Sequence, residues 1–142
     1  MSDHLLKNAE ISGLYHLNSA RYAVLEASAG RVGFHLFQTD VTAHSSTEEV
    51  LRQLGRVLEF PSWYGANFDA LFDCLTDPAW QPAKGYLLLI NGIARLRLTN
   101  PEDFATLIEV FQSVADAWRD RGIPFWILID TPARGIPEFP EA

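Results

Sequence analysis

Two carboxylates and several aromatic side chains stand close together in residues 60–77, which read FPSWYGANFDALFDCLTD. Four apolar residues in this stretch recur at helical spacing: Phe68, Leu71, Phe72 and Leu75. This spacing predicts a helix over about 66–76 that ends before Pro78. On such a helix Asp69 and Asp73 lie only about 40° apart, although like charges at this spacing repel each other. We therefore expect both aspartates to form an acidic surface, beside aromatic side chains, for a positively charged partner.

Paired carboxylates can also perform general acid–base catalysis or bind a divalent metal ion. Either role needs further donors, but the four histidines fall at no metal-ligand spacing: His4, His16, His35 and His44. No serine has the context of a nucleophile elbow, and neither a phosphate-binding loop nor a dinucleotide fingerprint is present. We expect a binding protein with no enzymatic activity, metal or cofactor; a metal-dependent hydrolase is the distant third alternative.

Strand and helix patterns alternate along the rest of the chain. The apolar run GYLLLIN at 85–91 is typical of a buried central strand, and Asn100-Pro101 opens a long apolar-faced helix that Gly122 ends. The other expected elements are a strand at 31–38, a helix at 47–58 and a strand at 124–130. This order predicts an α/β fold with a small, mainly parallel sheet flanked by helices.

The two ends of the chain have weaker patterns. Residues 13–17 and 20–27 could form an extra N-terminal hairpin, with Asn18 and Ser19 in the turn. The proline-rich residues 131–142 have no periodicity and are interpreted as an extended tail. With no repeat and no linker, we expect one domain over 1–142, with a core at about 31–130 and an N-terminal extension at 1–30.

Composition restricts the kind of partner. Hydrophobic residues make up 48% of the 142, and no apolar run approaches the roughly 18 residues of a membrane span. No secretory signal is visible, and the one cysteine, Cys74, suits a reducing cytoplasm. The net charge of −7 disfavours direct binding to nucleic acid and favours a basic protein partner. A monomer is the default expectation for the free protein.

The segment around the two aspartates resembles the barstar-like family of intracellular ribonuclease inhibitors. The match comprises Phe60-Pro61, Trp63-Tyr64-Gly65, Asn67, Asp69-Ala70-Leu71, Phe72, Asp73 and Cys74-Leu75. So many positions in a fixed order make the resemblance specific. Residues 31–130 also fit the family's order of strands and helices. The resemblance implies a small parallel sheet, and a loop and helix that plug the active site of a basic ribonuclease, either guanyl-specific or another bacterial toxin nuclease.

The resemblance also implies individual roles. Asp73 occupies the position of the central acidic contact in the nuclease's phosphate-binding pocket, and Asp69 that of a second one. The remaining implied partner contacts are Trp63, Gly65, Asn67 and Phe72. Ala66 departs from a known member of the family, which has an acidic residue there. A further acidic contact comes from the family's long helix, where Ser113 or Asp116 is the nearest candidate.

Each of these residues also has a purely structural interpretation. Tyr64 is expected to anchor the loop, and Asn67 is expected to cap the helix. Cys74 is expected to be a small buried hydrophobic residue. Trp63 and Phe72 could serve either the core or a partner. Two functions therefore remain open: inhibition of a cognate ribonuclease, or a barstar-like scaffold reassigned to a different basic protein or regulatory partner.

Overall fold

The computed structural model describes residues 2–140 and has a parallel sheet at its centre. Its four strands are β1 (Leu14–His16), β2 (His35–Asp40), β3 (Tyr86–Asn91) and β4 (Phe125–Ile129). They lie in the order β1-β4-β3-β2, and each neighbouring pair is parallel. The predicted α/β fold with a small parallel sheet is confirmed.

Within residues 2–140, six helices connect or flank these strands. They are α1 (Ser2–Leu6), α2 (Tyr22–Val32), α3 (Thr47–Val57), α4 (Phe68–Thr76), α5 (Ala94–Thr99) and α6 (Pro101–Asp120). The three predicted helices correspond to α3, α4 and α6. The sequence pattern did not predict α1 or the short α5, and two 3₁₀ turns at Ala9–Ile11 and Ser19–Arg21 complete the N-terminal part.

The side chains of β3 and β4 alternate between two separate cores. Tyr86, Leu88 and Ile90 of β3 pack into a cluster with apolar residues of α3, α4, α5 and α6. Leu87 and Leu89 point to the opposite face and pack with residues of α1 and α2. Helices thus cover both faces of the sheet, which explains why β3 is an unbroken apolar run and not an alternating one.

The predicted N-terminal hairpin is wrong. Its first strand corresponds to β1, but its second half forms the turn Ser19–Arg21 and the helix α2. A strand would place Tyr22 and Val24 on one face, yet Tyr22 is buried whereas Val24 is 63% exposed. Tyr22, Leu25 and Ala29 are instead buried together on one side of a helix.

The strand predicted at 31–38 begins later, at His35. Arg31 and Val32 still belong to α2, and Gly33 ends this helix in the left-handed conformation with φ of 76°. Phe34 then donates its backbone N–H to the Ala29 carbonyl, as at a glycine-terminated helix end. The predicted strand therefore began four residues too early, because it included the end of α2 and the two residues that connect it to β2.

The C-terminal segment packs against the molecule and protects the outer edge of β1. The His16 N–H donates to the Pro137 carbonyl at 3.0 Å, and the Phe139 N–H donates to the His16 carbonyl at 2.9 Å. Phe139 is 5% exposed and contacts the rings of Tyr15 and Trp126. The predicted tail is thus extended but contributes to the core; residues 1, 141 and 142 lie outside the described residues.

None of the helices within residues 2–140 combines the length and the apolar character needed to cross a membrane.

Replacing Phe139 with alanine tests the contribution of this segment. We expect Phe139→Ala to lower the free energy of unfolding by about 3 kcal/mol, because a buried ring is replaced by a cavity. Urea unfolding measures the change, with Glu138→Ala as the matched control on an exposed neighbour, expected within about 0.5 kcal/mol of the unmodified protein. Equal stabilities of the two variants would show that the segment does not contribute to the core.

Candidate functional site

The first turn of α4 is fixed by Asn67. The Asn67 side-chain oxygen accepts a hydrogen bond from the Ala70 N–H at 2.8 Å, as expected of an N-cap residue. The predicted capping role of Asn67 is confirmed. Asp69 then lies in the first turn, where the positive end of the helix dipole favours a carboxylate.

The last turn of α4 is held by two side chains from the end of α6. The indole N–H of Trp118 donates to the Leu75 carbonyl at 2.8 Å, and the Arg121 guanidinium donates to the Thr76 carbonyl at 2.6 Å. Arg121 also lies over the Trp118 ring at 4.5 Å from its centroid. These donors satisfy carbonyls that a helix end otherwise leaves unpaired, so α4 is attached to α6 at a defined position.

The loop between α3 and α4 is anchored by Tyr64, as predicted. Tyr64 is half-buried, and its hydroxyl donates to the Leu51 carbonyl in α3 at 3.0 Å. Burial raises the pKa of this hydroxyl well above its usual value, so it stays protonated as a donor. The start of the loop is held by Trp80, whose indole N–H donates to the Leu58 carbonyl at 2.8 Å.

Asp69 and Asp73 are exposed on the outer side of α4 and line a groove between α4 and α6. The α4 wall carries these two carboxylates together with the half-buried rings of Phe68 and Phe72. The α6 wall consists of Thr106, Glu109, Val110 and Ser113. The groove therefore combines an apolar lining with three carboxylates, one of which, that of Glu109, was not among the predicted site residues.

Within residues 2–140, the side chains of Asp69, Asp73 and Glu109 have no ion-pair or hydrogen-bond partner. Some other helix carboxylates are partnered, such as Glu48 with Arg52 at 3.0 Å, whereas the isolated carboxylate of Asp120 at the end of α6 also has no side-chain partner in this range. No three His, Cys, Asp or Glu side chains in this described range are grouped so that they could hold a metal ion. The uncompensated negative charge of the groove makes it suited to a cationic surface.

The other predicted site residues lie in the loop and not in the groove. Trp63 is 66% exposed, an unusual position for a tryptophan, and Gly65 and Asn67 are exposed beside it. Ala66 is buried, at 8% exposure, and adopts the left-handed conformation with φ of 51°. Cys74 is buried as expected, and burial raises the pKa of its thiol, which keeps it unreactive.

Ser113 and Asp116, the two candidate contacts on the long helix, line different clefts in the structure. Ser113 lines the groove with Asp69 and Asp73. Asp116 instead lines a cleft beside Tyr15 and pairs with Arg119 at 2.6 Å. Glu109 lies one turn before Ser113 on α6, so the sequence places these two residues on the same side of the helix. The sequence does not show that this side faces α4, which only the packing of the two helices reveals.

The fold and the site together define an α/β protein with an aromatic loop that Tyr64 and Trp80 hold in place. This loop leads into α4, which forms one wall of an acidic groove against α6. The sequence model of one family, described as Barstar (barnase inhibitor), matches residues 34–130, which contain β2 to β4 and the whole groove. The chain belongs to the barstar family. A search of curated proteins found no match. The matched family is one of inhibitors, and residues 2–33, with α1, β1 and α2, lie outside the match.

The cap of α4 can be tested by substitution. We expect Asn67→Ala to lower the free energy of unfolding by about 1 kcal/mol, because the Ala70 N–H loses its acceptor. Asn67→Asp retains a capping oxygen and is the matched control, expected within about 0.5 kcal/mol of the unmodified protein. Chemical unfolding measures both, and similar losses in the two variants would argue against a capping role.

Proposed function

We propose that this protein inhibits a basic ribonuclease by covering its active site with α4 and the preceding loop. One observation carries the proposal: in a chain of the barstar family, three carboxylates without partners among the described residues line one groove. A ribonuclease active site is built to bind phosphates, so carboxylates can occupy the same positions. Asp73 is the proposed central anchor and Asp69 the second acidic contact.

Charge supports this function in two ways. The net charge of −7 attracts a basic enzyme from a distance and raises the rate of encounter. At contact, the carboxylates of Asp69 and Asp73 exchange water for arginine, lysine or histidine donors of the enzyme. A desolvated, hydrogen-bonded charge pair slows dissociation, because breaking it leaves a buried charge without a partner.

The loop supplies the apolar and polar surroundings of these charges. Trp63, at 66% exposure, can lose a large apolar area on binding, and tryptophan is frequent among the residues that dominate interface energies. Phe72, which is half-buried, adds an apolar side chain to the lining of the groove. The exposed backbone at Gly65 and the exposed Asn67 complete the proposed contact surface.

The proposed partner is a guanyl-specific or other bacterial toxin nuclease, and the protein acts in the cytoplasm as an immunity protein without enzymatic activity. Direct binding of nucleic acid is disfavoured because its phosphates carry the same sign of charge as the protein. The free protein is proposed to be a monomer.

A reassigned scaffold, which binds a different basic protein, is the second candidate. The observation in its favour is Ala66, which stands where a known member of the family has an acidic residue and is buried at 8% exposure. Its methyl group cannot replace the lost carboxylate contact. Binding to a basic protein other than a ribonuclease would distinguish this candidate from the first.

Titration into a guanyl-specific bacterial ribonuclease assay tests the proposed function. We expect dose-dependent inhibition that Asp73→Ala weakens by at least about 30-fold, or 2 kcal/mol, the general threshold of a hot spot. The barnase–barstar pair is itself one of the complexes that illustrate this threshold. Asp120→Ala, which removes an equal charge from an exposed site outside the groove, is the control. Equal inhibition by both variants would exclude Asp73 as the anchor.

Glu109 is tested in the same assay. We expect Glu109→Gln to weaken binding by about two- to fivefold, mainly through a slower association, and to reduce the dependence on salt. Asp116→Asn removes the same charge from the same helix but outside the groove, and it should leave the affinity within about twofold. A larger effect of Asp116→Asn than of Glu109→Gln would contradict the proposed position of the partner.

A further inference from the structure

A notch in helix α3 receives the ring that anchors the loop. Gly55 is buried in α3, and a Cβ atom added there would lie 2.6 and 2.7 Å from two ring carbons of Tyr64. Non-bonded carbon atoms do not approach this closely, since their optimal separation is about 3.5–4.0 Å. The Tyr64 ring can therefore occupy its position only because residue 55 has no side chain.

Three further contacts hold the Tyr64 side chain and backbone. The hydroxyl donates to the Leu51 carbonyl one turn before Gly55. The ring meets Phe60 edge-on with 4.9 Å between centroids, and the Tyr64 N–H donates to the Pro61 carbonyl at 3.0 Å. The loop is therefore connected to α3 through one side chain that is fixed on several sides.

The same connection accounts for the unusual exposure of Trp63. With Tyr64 turned inward onto α3, its neighbour Trp63 is left pointing to solvent at 66% exposure. On the other side, Ala66 is buried in the left-handed conformation, which an alanine rarely adopts. Such a conformation persists when the surrounding structure imposes it, and Ala66 is packed in the main core two residues after the fixed Tyr64.

We propose that Gly55 and Tyr64 are positioning residues for partner recognition: the ring seated in the α3 notch sets the loop in its binding conformation before any partner arrives. Neither residue needs to touch the partner. A loop that is already ordered loses less conformational entropy on binding, which increases affinity without an additional contact. The ordered loop conformation is a property of the free protein, whereas the gain in affinity rests on the proposed function.

The free protein tests the notch without any partner. Gly55→Ala is compared with Gly30→Ala, a helical glycine of α2 at which an added Cβ would meet nothing within 4 Å. We expect amide hydrogen exchange at Phe60 and Tyr64 to accelerate about tenfold in Gly55→Ala only, while amides of β3 and β4 exchange as before. Alanine is the better helix former, so identical exchange in the two variants would overturn the proposal.

Two more variants, Tyr64→Ala and the double variant Gly55→Ala with Tyr64→Ala, distinguish a local clash from a general loss of folding. In Tyr64→Ala the ring that would clash is absent, so adding Gly55→Ala should cause no further acceleration of loop exchange. Additive effects of the two substitutions would contradict the notch. Against a ribonuclease that the unmodified protein inhibits, Gly55→Ala should weaken binding severalfold, and Gly30→Ala should not. If the unmodified protein inhibits no ribonuclease, the proposed function is wrong. The hydrogen-exchange comparison still decides whether Gly55 and Tyr64 fix the loop, because it uses the free protein only.

Discussion

The burial of the central strands on both faces is the constraint on which the structure depends. Backbone groups of β3 and β4 are satisfied by parallel neighbours, and their side chains alternate between two cores, so neither face can remain open to water. One face is covered by α3 to α6, and the other by α1 and α2 together with Phe139. Helices α4 and α6 lie side by side on the same face of the sheet, and each buries only its inner side in the core. Their outer sides remain exposed and form the two walls of the acidic groove.

The position of α4 follows from that layer. Its inner residues Leu71 and Leu75 are buried in the core, whereas Asp69 and Asp73 are left on the outer surface. The side-chain donors of Trp118 and Arg121 at the C-terminal end of α4 define its position against α6. Carboxylates that repel each other and have no partner in the described part of the chain contribute little to the stability of the free protein. Their placement is understandable as an adaptation to a cationic partner, which is the role we propose.

The elements with long, regular patterns could be predicted from the sequence. The buried strand β3, the helix α3, the long helix α6 that begins at Asn100-Pro101, and the location of Asp69 and Asp73 on the same side of α4 were all predicted correctly. The N-terminal hairpin was wrong because short stretches such as 20–27 fit both periodicities, and only packing against the sheet selects the helix. The position of Glu109 and the docking of Phe139 depend on contacts between distant segments, which local patterns do not contain.

We propose that the partner binds at the groove and the adjoining loop. Nuclear magnetic resonance of the isotope-labelled protein, titrated with a basic guanyl-specific ribonuclease, locates the binding surface residue by residue. We expect shifted or broadened amide signals at residues 63–73 of the loop and α4, and at 106–113 of α6. Signals of α2 on the opposite face should remain unchanged. Changes concentrated on α2, or no change at saturating enzyme, would exclude binding at the groove.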